Sequence, residues 1–238
     1  MKKKFLIFDF DGVIVDSTMI GFRKINKNLS GLNLPEVSEN FLRKHWGKKA
    51  DDLFSLVCEE VGASQEKKEN FKMRDAYMLE EYALSSEVVA ALSELQETNY
   101  IGLLTSRTDN SLYNLANKIG LDLNMFDFIQ TADRCSYTKP DGSVFKPLLE
   151  WVRALGFAAS DVVYFGDTID YDYAATQNCQ PRIDFVGVAS GVNTVRDFLN
   201  AGLGLCQIVP YFTKLPWFLS KVEKQEKIIK TKYLILAD

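Results

Sequence analysis

Histidine is almost missing from this chain of 238 residues, and the single one, His45, has no nucleophile to pair with and is assigned no role. Cysteine is scarce as well. Cys58, Cys135, Cys179 and Cys206 are widely scattered, without the close pairs that zinc sites use. Nothing in their spacing points to disulfides, so reduced thiols and a cytoplasmic protein are the expectation. No hydrophobic run is long enough for a bilayer span, and the apolar stretch after Lys4 stops at Asp9, too short for a signal-peptide core. A positive balance is lacking too. With 28 basic against 32 acidic side chains the formal net charge is −4, which disfavours non-specific nucleic-acid and anionic-membrane binding. Any phosphate handled here must be held locally. There is no internal repeat, and 47% hydrophobic with 25% charged residues describes a folded globular protein of one large domain or two small ones. The composition says nothing of oligomeric state.

Short apolar runs rich in β-branched and aromatic residues alternate with stretches of helical period, the pattern of a doubly wound parallel α/β sheet. The expected strands are Phe5 to Phe10, Tyr100 to Thr105, Phe126 to Thr131, Val162 to Phe165 and Ile183 to Val188. Leu112, Leu115, Ala116 and Ile119 mark a helix closed by Gly120, and Leu148, Leu149, Val152 and Leu155 another closed by Gly156. From about Ser17 to Leu84 no strand-like run occurs. That stretch reads as several amphipathic helices, with Ser38 starting one and Gly62 closing another. The chain therefore divides into a core of residues 1–16 and 85–221, a helical insertion of residues 17–84, and a charged tail of residues 222–238.

Four places carry chemistry. In Phe8-Asp9-Phe10-Asp11-Gly12-Val13, positions i and i+2 of an extended chain point the same way, so Asp9 and Asp11 face one side at a strand's C-terminal end. That end is where open parallel sheets bind ligands. Two adjacent carboxylates with no basic neighbour repel, and a divalent cation is the natural remedy; Gly12 lets the backbone turn away at once. Asp16-Ser17 reads as a helix cap. The strand Leu103-Leu104 runs into Thr105-Ser106, whose hydroxyl and backbone N–H groups can bind a phosphoryl oxygen without adding charge. Pro140 keeps Lys139 out of helical geometry and projects its ammonium inward. Phe165-Gly166-Asp167-Thr168-Ile169-Asp170-Tyr171-Asp172 sends another apolar strand into three acids. Each alone has a plainer structural explanation: a turn, a helix start, a solvated lysine or acids at a helix N-terminus.

Taken in order, Asp9-x-Asp11-Gly12-Val13, Thr105-Ser106, Lys139-Pro140 and Gly166-Asp167-Thr168 resemble the haloacid dehalogenase superfamily, in its phosphoglycolate phosphatase-like branch. The resemblance covers about Lys4 to Leu219. It implies a Rossmann-like core with a small helical cap domain inserted at residues 17–84. It also implies a magnesium-dependent phosphatase acting on a small phosphorylated metabolite through an aspartyl-phosphate. Asp9 would be the nucleophile and a magnesium ligand. Asp11 would protonate the leaving alcohol and later accept a proton from water, binding metal through its backbone carbonyl and keeping a side-chain proton. Gly12, Thr105, Ser106 and Lys139 would surround the phosphoryl oxygens, Lys139 also offsetting their charge. Asp167 would complete the magnesium shell.

One departure stands in the fourth motif. The family's usual second acid falls four residues after the first, where this chain has Tyr171; a longer family form favours Asp172, while helix phase could equally turn Asp170 inward. Asp11 argues against dehalogenase chemistry, because a halide leaving group needs no proton. Lys48, in His45-Trp46-Gly47-Lys48-Lys49, falls at the family's substrate-facing loop, with Arg23 a weaker candidate. Two alternatives remain: a phosphosugar mutase of the same fold, and a non-enzymatic phosphate-binding or phosphoacceptor module.

Overall fold

The computed structural model describes residues 3–75 and 82–222. The charged tail read from the sequence thus lies outside the described residues, apart from Val222. Among the described residues no helix is long and apolar enough to cross a membrane, and all four cysteines are free thiols.

The strands β1 (Phe5–Phe8), β2 (Tyr100–Leu104), β3 (Phe128–Gln130), β4 (Val162–Gly166), β5 (Asp184–Val188) and β6 (Ile208–Val209) form one parallel sheet in the order β3-β2-β1-β4-β5-β6. Alternation explains the continuous apolar run of β1. Leu6 and Phe8 belong to the core cluster on one face, Phe5 and Ile7 to the cluster on the other. A strand buried on both sides must be apolar at every position. The first face is covered by α5 (Ser86–Thr98), through Leu92 and Leu95, and by α6 (Asp109–Ile119), through Leu112 and Leu115. The second is covered by α7 (Lys146–Ala154), through Leu148, Leu149 and Val152. Gly120, at φ +74, closes the helix that the sequence spacing locates there.

Sheet order fixes where a ligand can sit. From β1 the chain steps to β2 and β3, then returns to lay β4 on the other side of β1. The crevice between β1 and β4 is the topological switch point, open at the strands' C-terminal ends. Register brings Phe8 level with both Leu103 and Phe165. Asp9, Thr105 and Asp167 therefore all emerge just beyond the strand ends.

The sequence between β1 and α5 forms α1 (Thr18–Ser30), α2 (Glu39–His45), α3 (Ala50–Glu60) and α4 (Gln65–Asp75). These helices have a core cluster of their own, drawn from Phe22, Ile25, Leu29, Leu42, Val57 and Phe71 among others. Ser38 caps α2 by accepting the Phe41 N–H at 3.1 Å. Ser17 behaves otherwise: it sits at the N-cap of α1 but makes no side-chain cap bond, and Asp16 is exposed. The outer edge of the Trp46 indole fits against α1 because Gly21 has no side chain, and any Cβ there would strike it. The sequence reading missed β6, a pair of residues too short to register as a strand.

Candidate active site

The backbone sets the first constraint. Asp9 N–H donates to Phe165 O at 2.8 Å, continuing the β1–β4 ladder one residue beyond the strand. Its carboxylate accepts the Phe10 N–H at 2.7 Å on Oδ1 and faces Lys139 Nζ at 3.1 Å on Oδ2. Gly12, at φ +75, turns the chain away; a Cβ on Gly12 or on Gly191 would strike the Asp167 carboxylate. Two glycines thus form the walls of a slot for Asp167, whose Oδ2 accepts the Val192 N–H at 2.7 Å.

The fourth motif resolves the question left open by the sequence. Ile169–Tyr173 forms a π-helical turn. A π turn holds one residue more than an α turn, so the fifth residue after Asp167 takes the inward direction that the fourth would have. Asp172 is fully buried and Asp170 is exposed. Thr168 fixes Asp172 from both sides: its N–H and Oγ1 donate to Asp172 Oδ2 at 3.0 and 2.5 Å, and its Oγ1 accepts the Asp172 N–H at 3.1 Å. Tyr171, at the usual acid position, instead presents its ring to Gly47, where a Cβ would clash with it. The Lys48 ammonium lies 5.4 Å from the centre of the same ring.

Asp9, Asp167 and Asp172 offer carboxylate oxygens within 4.8 Å of one another, all buried. Lys139 is the cation among them, 2.6 Å from Asp172 Oδ1 and 3.1 Å from the Tyr164 hydroxyl. Burial would depress the Lys139 ammonium, but the carboxylates of Asp172 and Asp9 outweigh it and hold it above the ordinary range. Burial pushes the Asp9 carboxyl up to about 7, with Lys139 opposing and Asp172 and Asp11 adding to the rise. Asp167 is raised well above the carboxylate range, first by burial, then by Asp172 and Asp9. Three buried carboxylates and one ammonium leave an excess of negative charge that protons or a cation must balance. Oxygen-only donors suit a hard divalent ion, so this set fits such a metal. The Asp11 side chain is outside the cluster.

Asp11 is instead engaged by a residue that sequence reasoning missed. Arg107 Nε and Nη2 donate to Asp11 Oδ2 and Oδ1, each at 2.7 Å, in a two-pronged fork. Burial would raise Asp11, but the charge and hydrogen bonds of Arg107 prevail and hold its carboxyl below the usual range. With that fork in place Asp11 is a carboxylate, where the family resemblance implies a protonated acid. The signal that could have found Arg107 was its place directly after Thr105-Ser106, at the mouth of the same crevice.

The other candidates divide. Thr105 is buried and accepts the Arg107 N–H at 3.2 Å on Oγ1. Ser106 Oγ donates to Gly47 O at 2.9 Å, tying β2's end to the loop of the inserted helices. Asp9, Asp11, Ser106, Arg107, Asp167 and Lys48 all border one cavity of about 340 Å³ between the sheet and those helices. Arg23 is exposed and borders a different depression, with Met19 and Glu36.

A parallel α/β sheet thus gathers buried carboxylates just beyond the C-terminal ends of β1 and β4. Residues 6–188 match the family model described as haloacid dehalogenase-like hydrolase, and the chain belongs to that family. It is 24% identical over 217 residues to the phosphoglycolate phosphatase of Colwellia psychrerythraea, covering 86% of this chain and 92% of that protein. The fold is shared with a predicted phosphoglycolate phosphatase from Haemophilus somnus 129pt, at TM-score 0.72 and 21% identity over 90% of this chain and 97% of that one. It is shared also with a protein assigned as a beta-phosphoglucomutase from Thermotoga maritima, at TM-score 0.68 and 20% identity over 92% and 99% of the two chains.

Proposed function

We propose that the protein is a magnesium-dependent phosphomonoesterase that hydrolyses a small phosphorylated metabolite through an aspartyl-phosphate on Asp9. The observation that carries this reading is the buried cluster of Asp9, Asp167 and Asp172 with Lys139 in its midst, at the switch point of the sheet. Asp9, Asp167 and Asp172, with the backbone carbonyl of Asp11, would hold Mg2+. The ion would supply charge for the phosphoryl oxygens and keep Asp9 ionised.

Asp9 then attacks phosphorus and the bond to the leaving oxygen breaks. Asp11, which takes up a proton from solvent once it leaves the Arg107 fork, delivers that proton to the oxygen, and the alcohol departs. Water next attacks the same phosphorus, giving its proton to Asp11; the bond to Asp9 breaks and inorganic phosphate is released. Thr105, Ser106, Lys139 and the backbone at Gly12 hold the phosphoryl oxygens. Lys48 contacts the leaving group, and the inserted helices act as a cap that limits water to the attacking molecule. A phosphosugar mutase would share the first half-reaction and return the phosphoryl group to sugar rather than to water.

With Mg2+, Asp9→Asn is expected to reduce phosphate release from 4-nitrophenyl phosphate by at least about 10³-fold while circular dichroism stays that of the wild type. Full turnover by that variant, or by the wild type in excess chelator, overturns the reading. Isomerised sugar phosphate without free phosphate would establish the mutase instead.

A further inference from the structure

Arg107 has no part in that scheme, yet it occupies the acid's two oxygens. Its guanidinium is held on every side. Nε and Nη2 go to Asp11, Nη1 donates to Ser111 Oγ at 2.9 Å, and its carbon lies 5.6 Å from the Phe10 ring centre and 5.9 Å from that of Tyr82. Such a group does not follow Asp11 when Asp11 moves. For Asp11 to reach a leaving oxygen, at least one of its oxygens has to leave the fork. The guanidinium is then short of an acceptor in a wall where its side chain is only 17% exposed, which is unfavourable unless another anion arrives.

The cavity is built to bring one. Lys24, Lys48 and Lys72 border it along with Arg107. Of these, Lys72 pairs with Asp51 at 2.7 Å, Lys48 lies over the Tyr171 ring, and Lys24 is engaged within the protein as well. Four cations thus border the chamber, while the carboxylates of Asp9, Asp11 and Asp167 that border it too lie at the sheet end where the phosphoryl group is handled. Apolar walls, among them Trp46, Phe54 and Tyr82, supply the rest. The transferred phosphoryl group, bound at Lys139, does not account for the cations on the outer walls.

We propose that Arg107 is a specificity-determining residue: it exchanges Asp11 for a second oxyanion, a carboxylate or phosphate close to the ester oxygen on the leaving portion of the substrate. The arriving anion takes the fork and frees Asp11 for the leaving oxygen, so substrate binding and release of the acid are one event. This rests on the phosphatase reading above and narrows it to phosphomonoesters with a second negative group.

Three aryl esters of similar size test it with Mg2+ present: 3-nitrophenyl phosphate, 3-carboxyphenyl phosphate and 1,3-phenylene bisphosphate. Each variant is compared with the wild type ester by ester, which cancels differences in leaving-group reactivity. Arg107→Met is expected to lower kcat/KM for the two charged esters about 100-fold more than for the nitro ester, mainly through KM. Arg107→Lys, which keeps the charge and loses the fork, should show about a tenth of that discrimination loss. The better of the two charged esters tells carboxylate from phosphate. An equal loss on all three esters means that Arg107 acts only through Asp11 and overturns the assignment, as does no loss at all. If the wild type hydrolyses none of them, the phosphatase reading fails separately. Calorimetric titration of the three esters into Asp9→Asn, with and without Arg107→Met, then decides the role of Arg107: a selective loss of affinity for the charged esters upholds it, and an equal loss refutes it.

Discussion

Lys139 stands closer to Asp172 than to Asp9, at 2.6 against 3.1 Å. The acid five residues beyond Asp167 is therefore first of all the anchor of the lysine, with Thr168 gripping its other oxygen. Asp172→Asn keeps the shape and removes the charge. The expected result is about a 10²-fold drop in kcat and a loss of about 3 kcal/mol in urea unfolding, because Lys139 keeps only Asp9 as a charged partner. Asp170→Asn, at an exposed position, should cost under about 0.5 kcal/mol.

The buried carboxyls make stability depend on pH in an unusual direction. Asp9 sits at about 7 when folded against an ordinary 3.8. Between those values the folded chain keeps a proton that the unfolded chain has released, so stability falls as pH rises through the window. Asp167, raised for the same reason, adds to the slope. In chelator the melting midpoint should drop by a few degrees from about pH 5 to about pH 8. Added Mg2+ should raise the midpoint more at the upper pH, since it competes with those protons. A flat profile in chelator would contradict this.

Gly191 and Gly204 offer a matched pair of substitutions. A Cβ at Gly191 would run into the Asp167 carboxylate, whereas at Gly204 the nearest atom is Cys206 Sγ at 3.6 Å. Gly191→Ala should weaken Mg2+ binding by about 10-fold or more in calorimetry, because it displaces the Asp167 carboxylate that we propose holds the ion. Gly204→Ala should leave that affinity at the wild-type value.

Tyr171 supports the loop that carries Lys48, its ring lying under Gly47 and its hydroxyl donating to Lys44 O at 3.4 Å. Tyr171→Ala should raise KM by about 10-fold while changing kcat less. A pure kcat effect would place Tyr171 with the chemistry instead of with the loop.

Much of this architecture is readable along the chain because it is local. The run Phe5 to Phe8, the glycines that close α6 and α7, and the acids of Asp9-x-Asp11 are each set by neighbours a few residues away. What escapes is set by distance. Arg107 and Asp11 are 96 positions apart, and Lys139 and Asp172 are 33 apart; no period or motif in one sequence couples such pairs. The π turn escapes for another reason. Its single extra residue changes which acid points inward, and helix phase alone leaves Asp170 and Asp172 equivalent. Tyr164 resembles any core aromatic of β4 until its hydroxyl is seen to accept from Lys139 at 3.1 Å.

The indole that fits against Gly21 has a use beyond packing. The chain contains three tryptophans: Trp217 is 63% exposed, and Trp151 meets Phe5 and Tyr100 edge to face and tilts against Phe128 beneath the second face of the sheet. Trp46 alone borders the cavity that holds Asp9 and Arg107. A ligand entering there changes the surroundings of one fluorophore and leaves the other two as internal references. The protein thus carries a built-in optical gauge of occupancy, legible without turnover and without any added label.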